Sequence, residues 1–125
     1  MARYSRPVFL NPLQIQMPVG AITSIGHRVS GVILAAGVPF GVYLLAQSLR
    51  DEQGFERVLA LMDYWPVKGC AILVTWALAH HLFAGIRHLL SDFNVGSPLR
   101  LARRSAYLAN ISGVAVALAT AVLLW

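Results

Sequence analysis

Four histidines lie within or beside segments that are otherwise apolar: His27, His80, His81 and His88. Ionisable side chains inside a membrane are costly, and they usually face a protein interior where they serve a function. At about 100° per residue of helix, His81 and His88 share one face with Gly85, whereas His80 is rotated away from it. A histidine followed four residues later by glycine leaves an open wall beside the imidazole, against which a flat macrocycle could lie.

Haem is one of three interpretations of these histidines, and a quinone or proton site and structural pairing between helices remain open on the residues alone. His81 precedes Arg87 by six residues, which is about 9 Å of helix. Iron bound to His81 would therefore leave propionates near basic groups at the inner end, where His27 and Arg28 also lie. A b-type haem commonly takes two axial ligands. His80 adjoins His81 on the same helix, the third span has no His or Met, and the first has none deep in the bilayer. A second strong ligand is therefore expected to come from another chain.

The composition excludes a soluble enzyme of ordinary design and a disordered chain. Of 125 residues, 58% are hydrophobic and only 12% are charged, whereas about a quarter of a soluble domain is charged. Residues 29–49, 69–86 and 105–125 contain no Asp, Glu, Lys or Arg, and roughly 20 helical residues cross a bilayer. We therefore predict an all-α membrane protein with three transmembrane helices. The predicted spans are approximately residues 25–49, 67–88 and 103–125.

The distribution of basic residues predicts the topology. The segment before the first span contains three arginines and no acidic residue, and residues 87–104 contain four arginines against Asp92 alone. Lys and Arg concentrate on the cytoplasmic side of membrane proteins, so the N-terminus is expected to be cytoplasmic and the C-terminus periplasmic. The same rule explains the pI near 10.2, so the lipid bilayer is the expected partner of these basic residues. Nucleic-acid binding is not needed to explain them, and no nucleic acid is expected as a partner.

The chain is expected to divide into an extended cytoplasmic arm, residues 1–20, and a three-helix membrane domain, residues 21–125. Prolines at positions 7, 12 and 18 discourage a regular helix in the arm, and the first helix is expected to start between Ala21 and Ser24. Three helices make a poor closed bundle, so we expect them to pack with a sister subunit into a larger one.

Other chemistry finds little support in the sequence. Covalent haem attachment, zinc protease, phosphate-loop and hydrolase-elbow motifs are absent from it. Ser24 and His27 have no acidic residue nearby to orient a base. Asp92 follows His88 by four residues, which favours a local ion pair at the helix end. Asn110 is expected to form an interhelical hydrogen bond. Replacing His80 by alanine is expected to have only a mild effect on haem.

Two motifs resemble those of the cytochrome b556 family of membrane anchors of succinate dehydrogenases. Residues 24–31 read SIGHRVSG, similar to the family pattern S-x-x-H-R-x-[ST]-G, and Arg6-Pro7 precedes them. Residues 81–88 read HLFAGIRH and are followed by Asp92, which resembles the pattern H-x-x-x-G-[IL]-R-H…D. The resemblance extends over nearly the whole chain.

The resemblance implies a role for several residues. His81 would be one axial ligand of a single haem b, whose other ligand comes from the sister anchor subunit. His27, Arg28 and His88 would hold the haem propionates, and Ser24 and Arg28 would line a ubiquinone-reduction site. No catalytic residue for succinate oxidation is expected in this chain.

The resemblance also implies partners and a location. These are the flavoprotein, the iron–sulfur subunit and the second membrane anchor of succinate dehydrogenase, in a bacterial inner membrane. The alternatives are a haem-free quinone-binding anchor of a fumarate-reductase-like complex and a small transporter or proton pathway. His81 disfavours the haem-free anchor, and the apolar outer halves of the spans disfavour a pathway.

Overall fold

The computed structural model describes residues 16–125, and these residues form four α-helices. The helices are α1 (Val19–Ser48), α2 (Glu52–Met62), α3 (Trp65–Asp92) and α4 (Leu99–Leu124). Residues 1–15, and with them most of the predicted N-terminal arm, lie outside the described residues. Pro18 is extended immediately before α1, where a proline is tolerated because the first helical N–H groups have no intrahelical partner. Val19 and Gly20 are therefore helical, two residues earlier than expected.

The three long helices confirm the prediction of an all-α protein with three span-length apolar segments. They contain 30, 28 and 26 residues, which corresponds to about 39–45 Å at 1.5 Å per residue. Each is long and apolar enough to cross a membrane, whose hydrocarbon core is about 30 Å thick.

The helix α2 lies between the first two predicted spans, in a charged segment for which no helix was predicted. Its start is fixed by Asp51, whose carboxylate accepts a hydrogen bond from the Gly54 backbone N–H. Glu52 in the first turn adds a favourable negative charge at the positive end of the helix. The acidic residues 51 and 52, which follow the first span, therefore also stabilise the start of α2. This short helix packs on α1 and contacts α3.

The helix α3 is central, because α1 and α4 each pack more extensively on it than on one another. The core between these helices is built from small side chains, which allow the backbones to approach closely. The buried apolar residues are Ala77, Ala79, Ala84, Ala106 and Ala109. Less than a quarter of each apolar span is buried within the chain, so most of its large apolar side chains face outward.

Candidate functional site

Three of the predicted haem residues meet between α1 and α3. The rings of His27 and His81 stack with centroids 4.0 Å apart and planes inclined by 13°. The ring of His88 lies 5.2 Å from that of His27, with the two planes inclined by 60°. A Cβ atom built on Gly85 would lie 3.3 Å from Nε2 of His27. The predicted face of His81, Gly85 and His88 thus turns towards His27. The space in front of Gly85 was expected to be open for a flat macrocycle, but the His27 ring lies there instead.

The Nδ1 atom of His81 is held by two oxygen atoms of α1. It lies 3.0 Å from the carbonyl oxygen of His27 and 3.2 Å from Oγ of Ser30. The Ser30 hydroxyl donates to the same carbonyl oxygen at 2.9 Å. Because a carbonyl can only accept and the Ser30 proton is directed to it, we assign the proton of the neutral His81 ring to Nδ1.

This tautomer fits His81 for the predicted haem. A neutral imidazole with its proton on Nδ1 has its lone pair on Nε2, and the hydrogen bond of one ring nitrogen commonly decides which nitrogen binds a metal. The hydrogen bonds of His81 within residues 16–125 all involve Nδ1. The donor set around the ring therefore fits an axial ligand that binds iron through Nε2.

The predicted quinone residues are not brought into contact with the three histidines by any hydrogen bond within the described residues. Ser24 and Arg28 lie four residues apart, which places them on one face of α1. Ser24 is partly exposed, and Arg28 is exposed. The pair thus presents a hydroxyl and a guanidinium group one helical turn apart at the end of α1 that carries His27.

The expected ion pair between His88 and Asp92 is absent from the described part of the chain. The two ion pairs within residues 16–125 instead join Arg57 to Asp51 and Lys68 to Asp63, at the opposite end of the spans. The expectation of a local ion pair is therefore wrong. Its physical reason is that the His88 ring lies beside that of His27, on the inner side of the helix pair.

His80 occupies a different environment, at the meeting point of α1, α3 and α4. It is 3% exposed, and neither ring nitrogen has a hydrogen-bond partner within residues 16–125. Its ring stacks on Trp76, with centroids 5.4 Å apart. A Cβ built on Gly26 would lie 2.6 Å from Nε2 of His80, and one on Gly113 would lie 3.0 Å from its Cβ. Replacing His80 by alanine would therefore remove a whole ring from the core and lower its stability, while the mild effect expected on haem stays a prediction.

Polar contacts near the same end of the bundle hold α4 in place. Arg87 donates from Nε to Oγ of Ser105 at 3.2 Å and from a terminal nitrogen to the Ala102 carbonyl at 3.4 Å. The buried Thr23 hydroxyl lies 3.2 Å from Oδ1 of Asn110, as expected of an interhelical partner for this asparagine. These contacts fix the positions of α1 and α4 around α3.

Comparisons with known proteins identify the family. The family model described as succinate dehydrogenase/fumarate reductase transmembrane subunit matches residues 2–124. The chain belongs to this family. It is 37% identical over 117 residues to the succinate dehydrogenase cytochrome b556 subunit of Coxiella burnetii, covering 91% of this chain and 93% of the relative. The protein of the same name from Paracoccus denitrificans is 31% identical over 120 residues, covering 94% and 91%.

Family membership confirms the predicted resemblance and the expectation of an enzyme subunit of the succinate:quinone oxidoreductase type. The three long apolar helices agree with the transmembrane description of the family. The chain is thus a membrane-anchor subunit.

Sequence reasoning gave no role to Ser30 and none to Thr23, although both are fully buried. Ser30 stands at the [ST] position of the family pattern, which was a signal, whereas Thr23 is a small hydroxyl residue in a largely apolar segment. Both lie on α1 seven residues apart, which corresponds to two turns and therefore to one helical face. A buried polar face on a membrane helix indicates contact with other helices rather than with lipid.

Proposed function

We propose that this family member carries haem b in succinate dehydrogenase and forms part of the site where ubiquinone is reduced. The observation that carries the proposal is the His81 ring, whose Nδ1 is engaged by the His27 carbonyl oxygen. That arrangement leaves Nε2 as the nitrogen available for iron. The second axial ligand would come from the sister anchor subunit, which would pack on the outward faces of the spans.

The residues around His81 would bind the acidic edge of the haem. His27 stacks on His81, and His88 lies beside His27, so both rings can donate to propionate oxygens. Arg28 follows His27 in α1 and adds a permanent positive charge. When bound, haem b supplies a one-electron carrier within the membrane.

Ser24 and Arg28 would act on the quinone. The Ser24 hydroxyl can donate a hydrogen bond to a quinone carbonyl oxygen, which positions the ring. The Arg28 guanidinium would stabilise the negative charge that develops on that oxygen as electrons arrive. Their spacing of one helical turn lets both groups approach a single ring from α1.

The charge distribution favours a cytoplasmic location for this end of the bundle. Arg28, Arg87 and Arg103 lie towards it, whereas the acidic residues 51, 52, 56 and 63 lie towards the other end. With the cytoplasmic N-terminus that the positive-inside rule predicts, Ser24 and Arg28 would face the iron–sulfur subunit. The flavoprotein would oxidise succinate, and the iron–sulfur subunit would deliver the electrons to this site. The bacterial inner membrane would hold the complex.

The haem assignment is tested on the complex assembled from all its subunits, by a reduced-minus-oxidised absorption spectrum normalised to flavin. His81→Ala is expected to remove the b-type haem signal, because it removes the iron-binding nitrogen. The matched control is His80→Leu, which removes the neighbouring imidazole and should leave the haem signal unchanged.

A low-spin haem retained by His81→Ala would contradict the proposed ligand. A wild-type complex that lacks haem but reduces quinone would instead support the haem-free anchor of a fumarate-reductase-like complex.

The quinone assignment is tested by comparing two activities of the same complex. Arg28→Leu is expected to slow succinate:ubiquinone reduction by about tenfold or more, because it removes charge stabilisation at the reacting ring. Succinate oxidation with an artificial acceptor should be unaffected, and Ser24→Ala should show the same pattern with a smaller effect. Arg50→Leu, at the other end of α1, is the control. Equal losses in both activities would indicate an assembly role for Arg28.

A further inference from the structure

Ser30 is a buried hydroxyl residue placed against the predicted haem ligand. It is fully buried on α1, and its Oγ lies 3.2 Å from Nδ1 of His81 on α3. Its own proton is directed to the His27 carbonyl oxygen, so its lone pairs are free to accept from His81. A buried hydroxyl is costly unless it is hydrogen-bonded. The two partners of this hydroxyl are the His27 carbonyl oxygen and the Nδ1 atom of His81, which also contact each other.

The oxygen atoms of Ser30 and His27 hold the same Nδ1 atom from two positions. Rotation of the His81 ring would lengthen both contacts at once, so the ring is held in one orientation. The neighbouring Gly31 strengthens this constraint, because a Cβ built there would lie 3.1 Å from Cε1 of His81. One turn of α1, residues 27–31, therefore forms a fitted seat for the ring.

We propose that Ser30 is a positioning residue for the axial haem ligand, which fixes the tautomer and orientation of His81 and increases the electron donation of its Nε2. This inference rests on the proposed function of His81. A hydrogen-bond acceptor on the far nitrogen makes an imidazole a stronger ligand, and hydrogen bonding to the ligands is one of the means by which a protein sets a haem potential. Stronger donation stabilises the oxidised iron, so Ser30 lowers the reduction potential of the haem.

The test uses the assembled complex and two readouts that do not depend on turnover. Ser30→Ala is expected to shift the haem midpoint potential to a more positive value in a redox titration. It is also expected to accelerate haem transfer to apomyoglobin by about tenfold, the lower range seen when a metal ligand loses its hydrogen-bond partner. Ser30→Thr keeps a hydroxyl that can bond to the preceding turn, and it should restore the wild-type potential.

Thr23→Val is the matched control for loss of a buried hydroxyl. Thr23 is equally buried on the same face of α1 but contacts Asn110 of α4 rather than His81. This variant should leave the haem potential unchanged. A shift equal to that of Ser30→Ala would mean that the potential reports general loosening of α1, and the proposal would be overturned.

The outcomes separate this inference from the proposed function beneath it. Haem retained by His81→Ala would remove the ligand itself. Haem lost by His81→Ala, together with an unchanged or more negative potential in Ser30→Ala, would leave His81 as the ligand and overturn the role of Ser30.

Discussion

His80 and His81 are adjacent on α3, yet the two rings lie in regions of opposite character. The His80 ring is enclosed by Trp76 and by glycines of α1 and α4, and its nitrogens are unpartnered within the described residues. The His81 ring faces α1, where two oxygen atoms contact its Nδ1 atom. Depth in the membrane is nearly the same for both, so their neighbours decide their roles. His80 fills the core, whereas His81 is held through Nδ1 and has no hydrogen bond at Nε2 within the described residues.

In both regions a histidine ring lies close to the backbone of glycines, where any larger residue would place a Cβ atom against the ring. Gly26 and Gly113 make room for His80 from two sides, and Gly31 makes room for His81 from one. Close backbone approach through small residues is the usual means by which membrane helices pack. Here it accommodates a ring, and the His81 ring is less buried than the His80 ring. Substitutions that alter the core without altering the ligand region test this distinction.

The largest expected effect on the core comes from His80→Ala. The loss of a buried ring leaves a cavity among three helices, and we expect a destabilisation of about 2–3 kcal/mol. The measurement is the midpoint of thermal dissociation of the assembled complex, together with its haem-to-flavin ratio before heating. The midpoint should fall while the ratio stays at the wild-type value.

His80→Leu is the control for this prediction, because it fills most of the volume and removes two unpartnered polar atoms. Replacing such atoms by apolar groups can be neutral or stabilising, so its midpoint should stay close to wild type. An equal fall in both variants would show that the imidazole itself, rather than its volume, supports the core.

A smaller effect is expected from Gly26→Ala. The new methyl group would lie 2.6 Å from Nε2 of His80, and the enclosed ring has little space into which it can move. Overpacking of this kind costs about 1–3 kcal/mol, and the measurement is again the thermal midpoint of the assembled complex.

Gly41→Ala is the matched control on the same helix, since a Cβ there has no neighbour within 4 Å among the described residues. Alanine at position 41 should be neutral or slightly stabilising through helix propensity. If both variants lowered the thermal midpoint alike, the close packing around His80 would not be the cause.

The difference between the two regions also explains what could be predicted from sequence. Charge-free stretches located the three long helices, and the helical period placed His81, Gly85 and His88 on one face, because both properties are local. The contact between Ser30 and His81 joins residues 51 positions apart, and the burial of His80 depends on Gly113 of α4. Such contacts depend on how helices pack, which periodicity does not specify. The helix α2 was missed because hydropathy reports spans and not short capped helices in charged segments.

The smallest expected effect comes from Thr23→Val, which removes a hydroxyl from the core region and leaves the seat of His81 intact. The hydroxyl of Thr23 lies near Oδ1 of Asn110 and takes no part in the histidine cluster. Interhelical hydrogen bonds of membrane proteins contribute on average about 0.6 kcal/mol, and valine keeps the volume. We expect a small fall in the thermal midpoint of the complex with an unchanged haem spectrum. Asn110→Leu in the same background should add little, because its partner has already been removed. If the fall in thermal midpoint of the double variant equalled the sum of the falls in the two single variants, the two side chains would act separately. Packing alone would then hold α1 and α4 together in the core.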